Sequence, residues 1–241
     1  MNILITGAGG YLGVGLIQRL ACDHTLRVMD IRAFDTSHEL FIGDVTDLDC
    51  VRQAVDGMDA VVIAHMASRQ PGTYNTPTLP FDINVKGTAN LFAAAVEQGI
   101  TRFVLISSGS VVTGYPPTQF KTRDMPMKGT DLYGLSKVCQ EVIAEQYQRM
   151  HQLSVSALRI GWVMDSDSMI DKYGTAHAEF SYEYTDPRDI GDVAGLALAR
   201  NTGRFDVFYV YGAPEADQHV DAAYTREQLG WTPRYDFAQL K

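Results

Sequence analysis

The sequence predicts an α/β fold: a Rossmann-type, doubly wound parallel sheet with a small C-terminal substrate-covering lobe. Three observations carry this expectation. Short, continuous apolar runs alternate with longer helical patterns. A glycine-rich turn joins the first run to the first helix, and an aspartate closes the second run. Strands buried on both faces read as unbroken apolar runs, and right-handed helical crossovers make them parallel.

The elements follow in order. Ile3-Leu4-Ile5 is a first strand and Tyr11 to Ala21 a helix; Leu26 to Met29 is a second strand. Asp47 opens a helix to Val55, and Ala60 to Ile63 is the next strand. A long helix from Phe81 to Gln98 stops at Gly99, where a helix readily ends. Phe103 to Ile106 is a strand, Asp131 to Met150 a long helix, and Val155 to Leu158 a further strand. From Met164 to Tyr184 the chain is polar and poorly periodic. A helix at Asp189 to Arg200, a strand at Phe205 to Tyr211 and a helix at Asp221 to Leu229 complete it. The expectation is one domain, with residues 1–160 as the nucleotide-binding core and 161–241 as the dependent lobe.

Hydrophobic residues make up 46% of the chain and charged residues 20%, a balance that builds a sizeable core. The formal net charge of −9 argues against nucleic acid or an anionic membrane surface as partner. No apolar run approaches the roughly 18 residues of a membrane span, and the N-terminus does not read as a signal peptide. Cys22, Cys50 and Cys139 are widely spaced and odd in number, which fits unpaired, mostly buried thiols in a reducing cytoplasm. The histidines lack metal-ligand spacing, so no metal is expected.

Thr6-Gly7-Ala8-Gly9-Gly10-Tyr11-Leu12-Gly13 leaves the first strand and opens a helix. Gly7 suits the tight turn, Gly10 a close approach of backbone to pyrophosphate, and Gly13 the packing of helix on strand. The helix N-terminus then offers free N–H groups to the phosphates. Asp30 can accept hydrogen bonds from both ribose hydroxyls and would repel a 2′-phosphate, so NAD is the expected cofactor. Arg32, beside Ile31, is the competing feature, since a guanidinium can hold that phosphate. Asp44 either accepts from the adenine amino group, with the Val45 N–H donating to the ring, or caps the following helix.

Tyr133 and Lys137 lie four residues apart, on one face of a helix. A phenol is a poor base at neutral pH, and a neighbouring ammonium favours the phenolate. Tyr133 can then take a proton from a substrate hydroxyl, while Lys137 also holds the nicotinamide ribose. Ser108 follows a strand at the sheet edge where sites form, and its hydroxyl can donate to the reacting oxygen. Ser107 and Ser110 compete for that role.

Together with Ala64-His65-Met66-Ala67, Asn84-Val85-Lys86-Gly87-Thr88 and Leu229-Gly230-Trp231-Thr232-Pro233, these motifs resemble the extended short-chain dehydrogenase/reductase superfamily. That group includes sugar-nucleotide epimerases and dehydratases. The resemblance implies a catalytic Ser108, Tyr133 and Lys137. It implies that Asn84 supports a helix bend and a water near the lysine, and that His65, Met66 and Ala67 line the cofactor. Tyr11, Leu12, Ile31, Ser107 and Ile160 join them as cofactor-lining candidates. Within the superfamily the chain is most similar to uronate dehydrogenases, which oxidise C1 of a hexuronic acid with NAD. It departs from them at Gly109-Ser110, where they carry Asn-His. Their carboxylate-binding arginine has no clear match in the segment Asp165 to Lys172.

The leading expectation is therefore an NAD-dependent oxidoreductase acting on a sugar or sugar acid. The alternatives are a sugar-nucleotide epimerase or dehydratase and a non-catalytic NAD(H)-binding regulator. Candidate substrate residues are Ser68, Arg69, Ser108, Gly109, Ser110, Tyr133 and Trp162. Arg69 can hold a carboxylate with two bonds, and Lys172 is a second cation. Asp165, Asp167 and Asp171 could instead bind the hydroxyls of a neutral sugar. The resemblance further implies a homodimer through the helices of Tyr133 and Asn84.

Asp30 generates the first prediction. Calorimetry should show tighter binding of NAD than of NADP. Equal or reversed affinities would discard the Asp30 argument and promote Arg32.

Overall fold

The computed structural model describes residues 1–68 and 74–241. In order the elements are β1 (Asn2–Thr6), α1 (Tyr11–Leu20), β2 (Thr25–Asp30), β3 (Glu39–Ile42), α2 (Leu48–Val55) and β4 (Ala60–Ile63). A π-helical turn (Phe81–Lys86) runs into α3 (Gly87–Glu97), followed by β5 (Arg102–Ser108), α4 (Leu132–His151) and β6 (Ser154–Ile160). The last part holds β7 (Trp162–Asp165), β8 (Ile170–Asp171), β9 (Tyr184–Thr185), α5 (Pro187–Ala199), β10 (Phe205–Val210) and α6 (Ala222–Leu229).

The main sheet has seven strands in the order β10-β6-β5-β4-β1-β2-β3, every neighbouring pair parallel. Strand order reverses between β1 and β4, which opens a crevice at the carboxyl edge where such folds bind ligands. Alternate residues face opposite sides. Ile3, Ile5, Val104 and Ile106 join the core with α1 and α5. Leu4, Phe103 and Leu105 join the core with α2 and α3. Both faces are dry, which is why the strands read as unbroken apolar runs rather than alternating ones.

Several expectations need correction. β3 escaped the periodicity because it is a four-residue edge strand with no fully buried position. The long helix at Phe81 is broken into a π-helical turn and α3. The sheet does not end at residue 160, since β10 pairs with β6 as its outermost strand. The polar stretch after Met164 contributes β8 and β9, which flank β7 in a small second sheet. Cys22 is exposed rather than packed in the core. No helix among the described residues is long and apolar enough to cross a membrane.

One buried ion pair ties α4 to the sheet. Arg159 Nη2 lies 2.9 Å from Glu141 Oε2, with the side chains 3% and 1% exposed. Ser107 donates to Glu141 Oε1 at 2.5 Å, and Arg159 donates to the Tyr209 hydroxyl at 3.2 Å. Removing one partner of such a pair leaves the other charge buried and uncompensated. Glu141→Gln should therefore cost about 3–5 kcal/mol in urea unfolding. A loss below about 1 kcal/mol would show that the pair does not brace the fold.

Candidate active site

The glycine turn is built as its sequence requires. Gly7 has φ +68°, and a Cβ there would come within 2.6 Å of the His65 Cα. A Cβ on Gly13 would collide with the Ala8 carbonyl. α1 has neither a side-chain cap nor an acidic residue in its first turn, so its leading N–H groups stay available to an anion. Gly10 is its N-cap and Leu12 lies in its first turn.

Asp30 ends β2 beside this turn. Its carboxylate accepts from the Gly9 N–H at 3.0 Å and, more loosely, from the Arg32 N–H at 3.4 Å. Those bonds aim it and leave lone pairs for a ribose diol. Ile31 and Arg32 are exposed at the same edge. Asp44 accepts from the Thr46 N–H at 2.8 Å, and Asp47 caps α2 through the Asp49 and Cys50 N–H groups. The capping alternative for Asp44 therefore falls. The Val45 carbonyl is held by Asn90 at 2.9 Å.

Tyr11 sits at the start of α1, and its phenol reaches away from the glycine turn. Its hydroxyl donates to the Ile170 carbonyl at 2.6 Å and accepts from the Asp165 N–H at 2.8 Å. The side chain is a strut from the glycine turn to the β7–β8 hairpin.

The segment after β4 is fixed from behind. His65 is buried and bonded to the Thr6 hydroxyl through Nδ1 at 3.0 Å. Burial first, and then the charge of Lys137, push its pKa down to about 3, so the ring stays neutral. Met66 is half-buried, and Ser68 is exposed at the end of the described segment. Asn84 is fully buried; its Oδ1 accepts from the Ala67 N–H at 2.7 Å and its Nδ2 donates to Ser136 Oγ at 2.9 Å. Asn84 thus acts by positioning Ala67 and α4, with the π-helical turn aiming its amide.

Asp131 caps α4 by accepting from the Gly134 N–H at 2.6 Å, which presents the first turn of that helix to the crevice. Lys137 Nζ donates to the Ile106 carbonyl at 2.8 Å and stands 5.9 Å from the centre of the Tyr133 ring. Strand alternation separates Ser107 from Ser108, while Ser110 shares the cavity with Ser108. Ser107 points inward to Glu141, whereas Ser108 faces the crevice and bonds Ser110 Oγ at 3.1 Å.

Ser108, Gly109, Ser110, Tyr133, Ile160 and Trp162 line one cavity of about 350 Å³. Its remaining walls include Lys121, Lys172, Tyr182, Glu183 and Tyr211, residues that sequence reasoning missed apart from Lys172. Position alone offered one signal: Tyr211 ends the predicted strand at the carboxyl edge of the sheet, where sites form. Arg69 lies outside the described residues.

The aspartates after β7 do not serve as expected. Asp171 is 2% exposed and accepts from Trp162 Nε1 at 3.1 Å, from His177 Nε2 at 2.9 Å and from the Tyr173 and Thr175 N–H groups. Asp167 pairs with Arg188 at 2.8 Å. Asp165 accepts from the Ser168 N–H and hydroxyl and lines a different cavity, beside α1. Their carboxylates are engaged by these partners, and none of the three lines the cavity of Ser108 and Tyr133.

Residues 3–164 match the family described as NAD dependent epimerase/dehydratase. The chain is 29% identical to an NAD-dependent glucose-6-phosphate dehydrogenase of Haloferax volcanii, over 99% of its own length and 95% of that protein's. It is 30% identical to an L-arabinose 1-dehydrogenase (NAD(P)(+)) of the same organism, over 99% and 98%. The fold matches uronate dehydrogenase from Agrobacterium tumefaciens with a TM-score of 0.82 at 24% identity, over 98% of this chain and 85% of that one. With the glycine turn, Asp30 and the Tyr133–Lys137 helix in their expected places, the chain belongs to the NAD-dependent epimerase/dehydratase family of extended short-chain dehydrogenases/reductases.

Proposed function

We propose that the chain is an NAD-dependent dehydrogenase that oxidises a free sugar or sugar acid, with Tyr133 as proton acceptor. The observation that carries this reading is the meeting of Ser108 and Tyr133 on one cavity, with Lys137 bonded to the sheet behind them. The uncapped α1, the turn at Gly7 and the aimed carboxylate of Asp30 fit the pyrophosphate and adenosine ribose of NAD.

Bound NAD supplies the hydride acceptor. The protein's own task is the proton. Ser108 holds the reacting hydroxyl by a hydrogen bond, and Tyr133 removes its proton. The ammonium of Lys137 stabilises the phenolate that does so. Neutral His65 keeps a second positive charge away from that lysine.

Two features favour a monosaccharide over a sugar nucleotide. A cavity of about 350 Å³ is at the small end of ligand sites. Its cover is a small sheet with its loops and the stretch between β5 and α4. Lys121 and Lys172 outnumber Glu183 in the wall of an acidic chain, so acidic or phosphorylated sugars suit it as well as neutral ones. The two Haloferax relatives, named for a sugar phosphate and a neutral pentose, support that range.

We also infer a homodimer through α3 and α4. Leu135 and Val142, one heptad apart on α4, are 44% and 43% exposed. The three free cysteines support a reducing, cytoplasmic setting.

NADH formation should be followed across aldoses, uronic acids, hexose phosphates and sugar nucleotides. Activity confined to sugar nucleotides would reject the free-sugar reading. On the best substrate, Tyr133→Phe should lower turnover by on the order of 10²–10⁴-fold while NAD affinity holds. Retained turnover would assign the proton to another group. Val142→Glu should convert a dimer to monomer in light scattering; an unchanged mass would remove α4 from the interface.

A further inference from the structure

Tyr211 stands just past β10 and is 5% exposed, yet it lines the same cavity as Ser108 and Tyr133. Among the described residues its hydroxyl has no hydrogen-bond partner. Buried tyrosine hydroxyls ordinarily find one, because an unmade bond costs the desolvation of the group. Its neighbour Tyr209 follows that rule, accepting from Arg159 and donating to the Thr122 carbonyl. The Tyr211 ring is packed edge-on against Tyr209, with centroids 6.2 Å apart, and its residue lines the cavity, where a ligand oxygen can meet the phenol.

Space for this hydroxyl is provided by Gly109. A Cβ on Gly109 would collide with the Tyr211 oxygen, and the next atom it would meet is the tyrosine's own Cζ at 3.6 Å. The residue after Ser108 therefore contributes no side chain, and a hydroxyl from the far edge of the sheet takes that place. Burial raises the pKa of Tyr211 well above the usual phenol value, so it remains a protonated donor while Tyr133 does the acid–base work.

We infer that Tyr211, admitted by Gly109, is a specificity-determining residue that binds the substrate hydroxyl on the carbon next to the reacting one. The inference rests on the sugar-dehydrogenase reading above. Ser108 and Tyr133 share the reacting oxygen, and a group one residue along from Ser108 reaches the next oxygen on the sugar. The substrate class is accordingly a sugar with a free hydroxyl adjacent to the carbon that is oxidised.

The test compares wild type with Tyr211→Phe on the best aldose and on its analogue deoxygenated at that carbon. The ring is retained, so equal melting temperature and NAD affinity control for folding. With the intact sugar, Tyr211→Phe should lower kcat/KM about tenfold, the worth of one hydrogen bond. With the deoxy sugar the bond is already gone, and the two proteins should agree within about twofold. An equal loss on both sugars, or no loss on the intact one, overturns the inference. A wild type that oxidises no sugar in the panel overturns the functional reading instead. The subsite is then judged by calorimetry, titrating the same pair of sugars into NAD-loaded protein with and without Tyr211→Phe. A tenfold weakening for the intact sugar alone upholds it, and no difference between the proteins overturns it.

Discussion

The pairing of Arg159 with Glu141 is the constraint on which the site depends. It joins β6 to α4 in a place without water, and it recruits Ser107 from β5 and Tyr209 from β10. Two charges out of solvent are tolerable only with their remaining hydrogen-bonding capacity filled. That demand fixes the height of α4 against the sheet. Tyr133 and Lys137 sit about two turns and one turn before Glu141 on the same helix, so their placement beside Ser108 follows from the pair. The bond from Lys137 to the Ile106 carbonyl secures the same register a second time.

The opposite wall is fixed by amide chemistry rather than charge. A π-helical turn is an awkward piece of helix, and such turns concentrate at functional sites. Here it aims the Asn84 amide at Ala67 on one side and Ser136 on the other. The segment after β4 is thereby locked to α4. His65, neutral and bonded to Thr6, anchors that segment to β1 and packs against Gly87. Few of these groups have anything to contribute by themselves. Their function is to remove alternatives for the backbone that a cofactor and a sugar would meet.

What could be read from the sequence was local. The glycine turn, Asp30 and the Tyr133–Lys137 spacing each encode their geometry within a few residues, and the apolar runs encode strands buried on both faces. What could not be read was pairing across distance. Nothing near Asp167 shows that Arg188 will neutralise it, or near Asp171 that Trp162 and His177 will occupy it. An acidic loop thus looked available when its carboxylates were already engaged. Ser107 and Ser108 are chemically identical neighbours, and only the pleat decides which one faces the crevice. Tyr211 lies about a hundred residues from Gly109 in sequence, and no periodicity links them. β3 was hidden because an edge strand with one neighbour needs no apolar run.

The strut from Tyr11 has a thermodynamic consequence. One hydroxyl connects the uncapped start of α1 to the hairpin that carries Lys172 and Trp162 to the cavity of Ser108 and Tyr133. Ordering either end reduces the freedom of the other. Coupling of this kind is reciprocal: whatever factor one ligand adds to the affinity of the second, the second returns to the first. A ligand that ordered the start of α1 would through this hydroxyl also order one wall of the cavity of Ser108 and Tyr133.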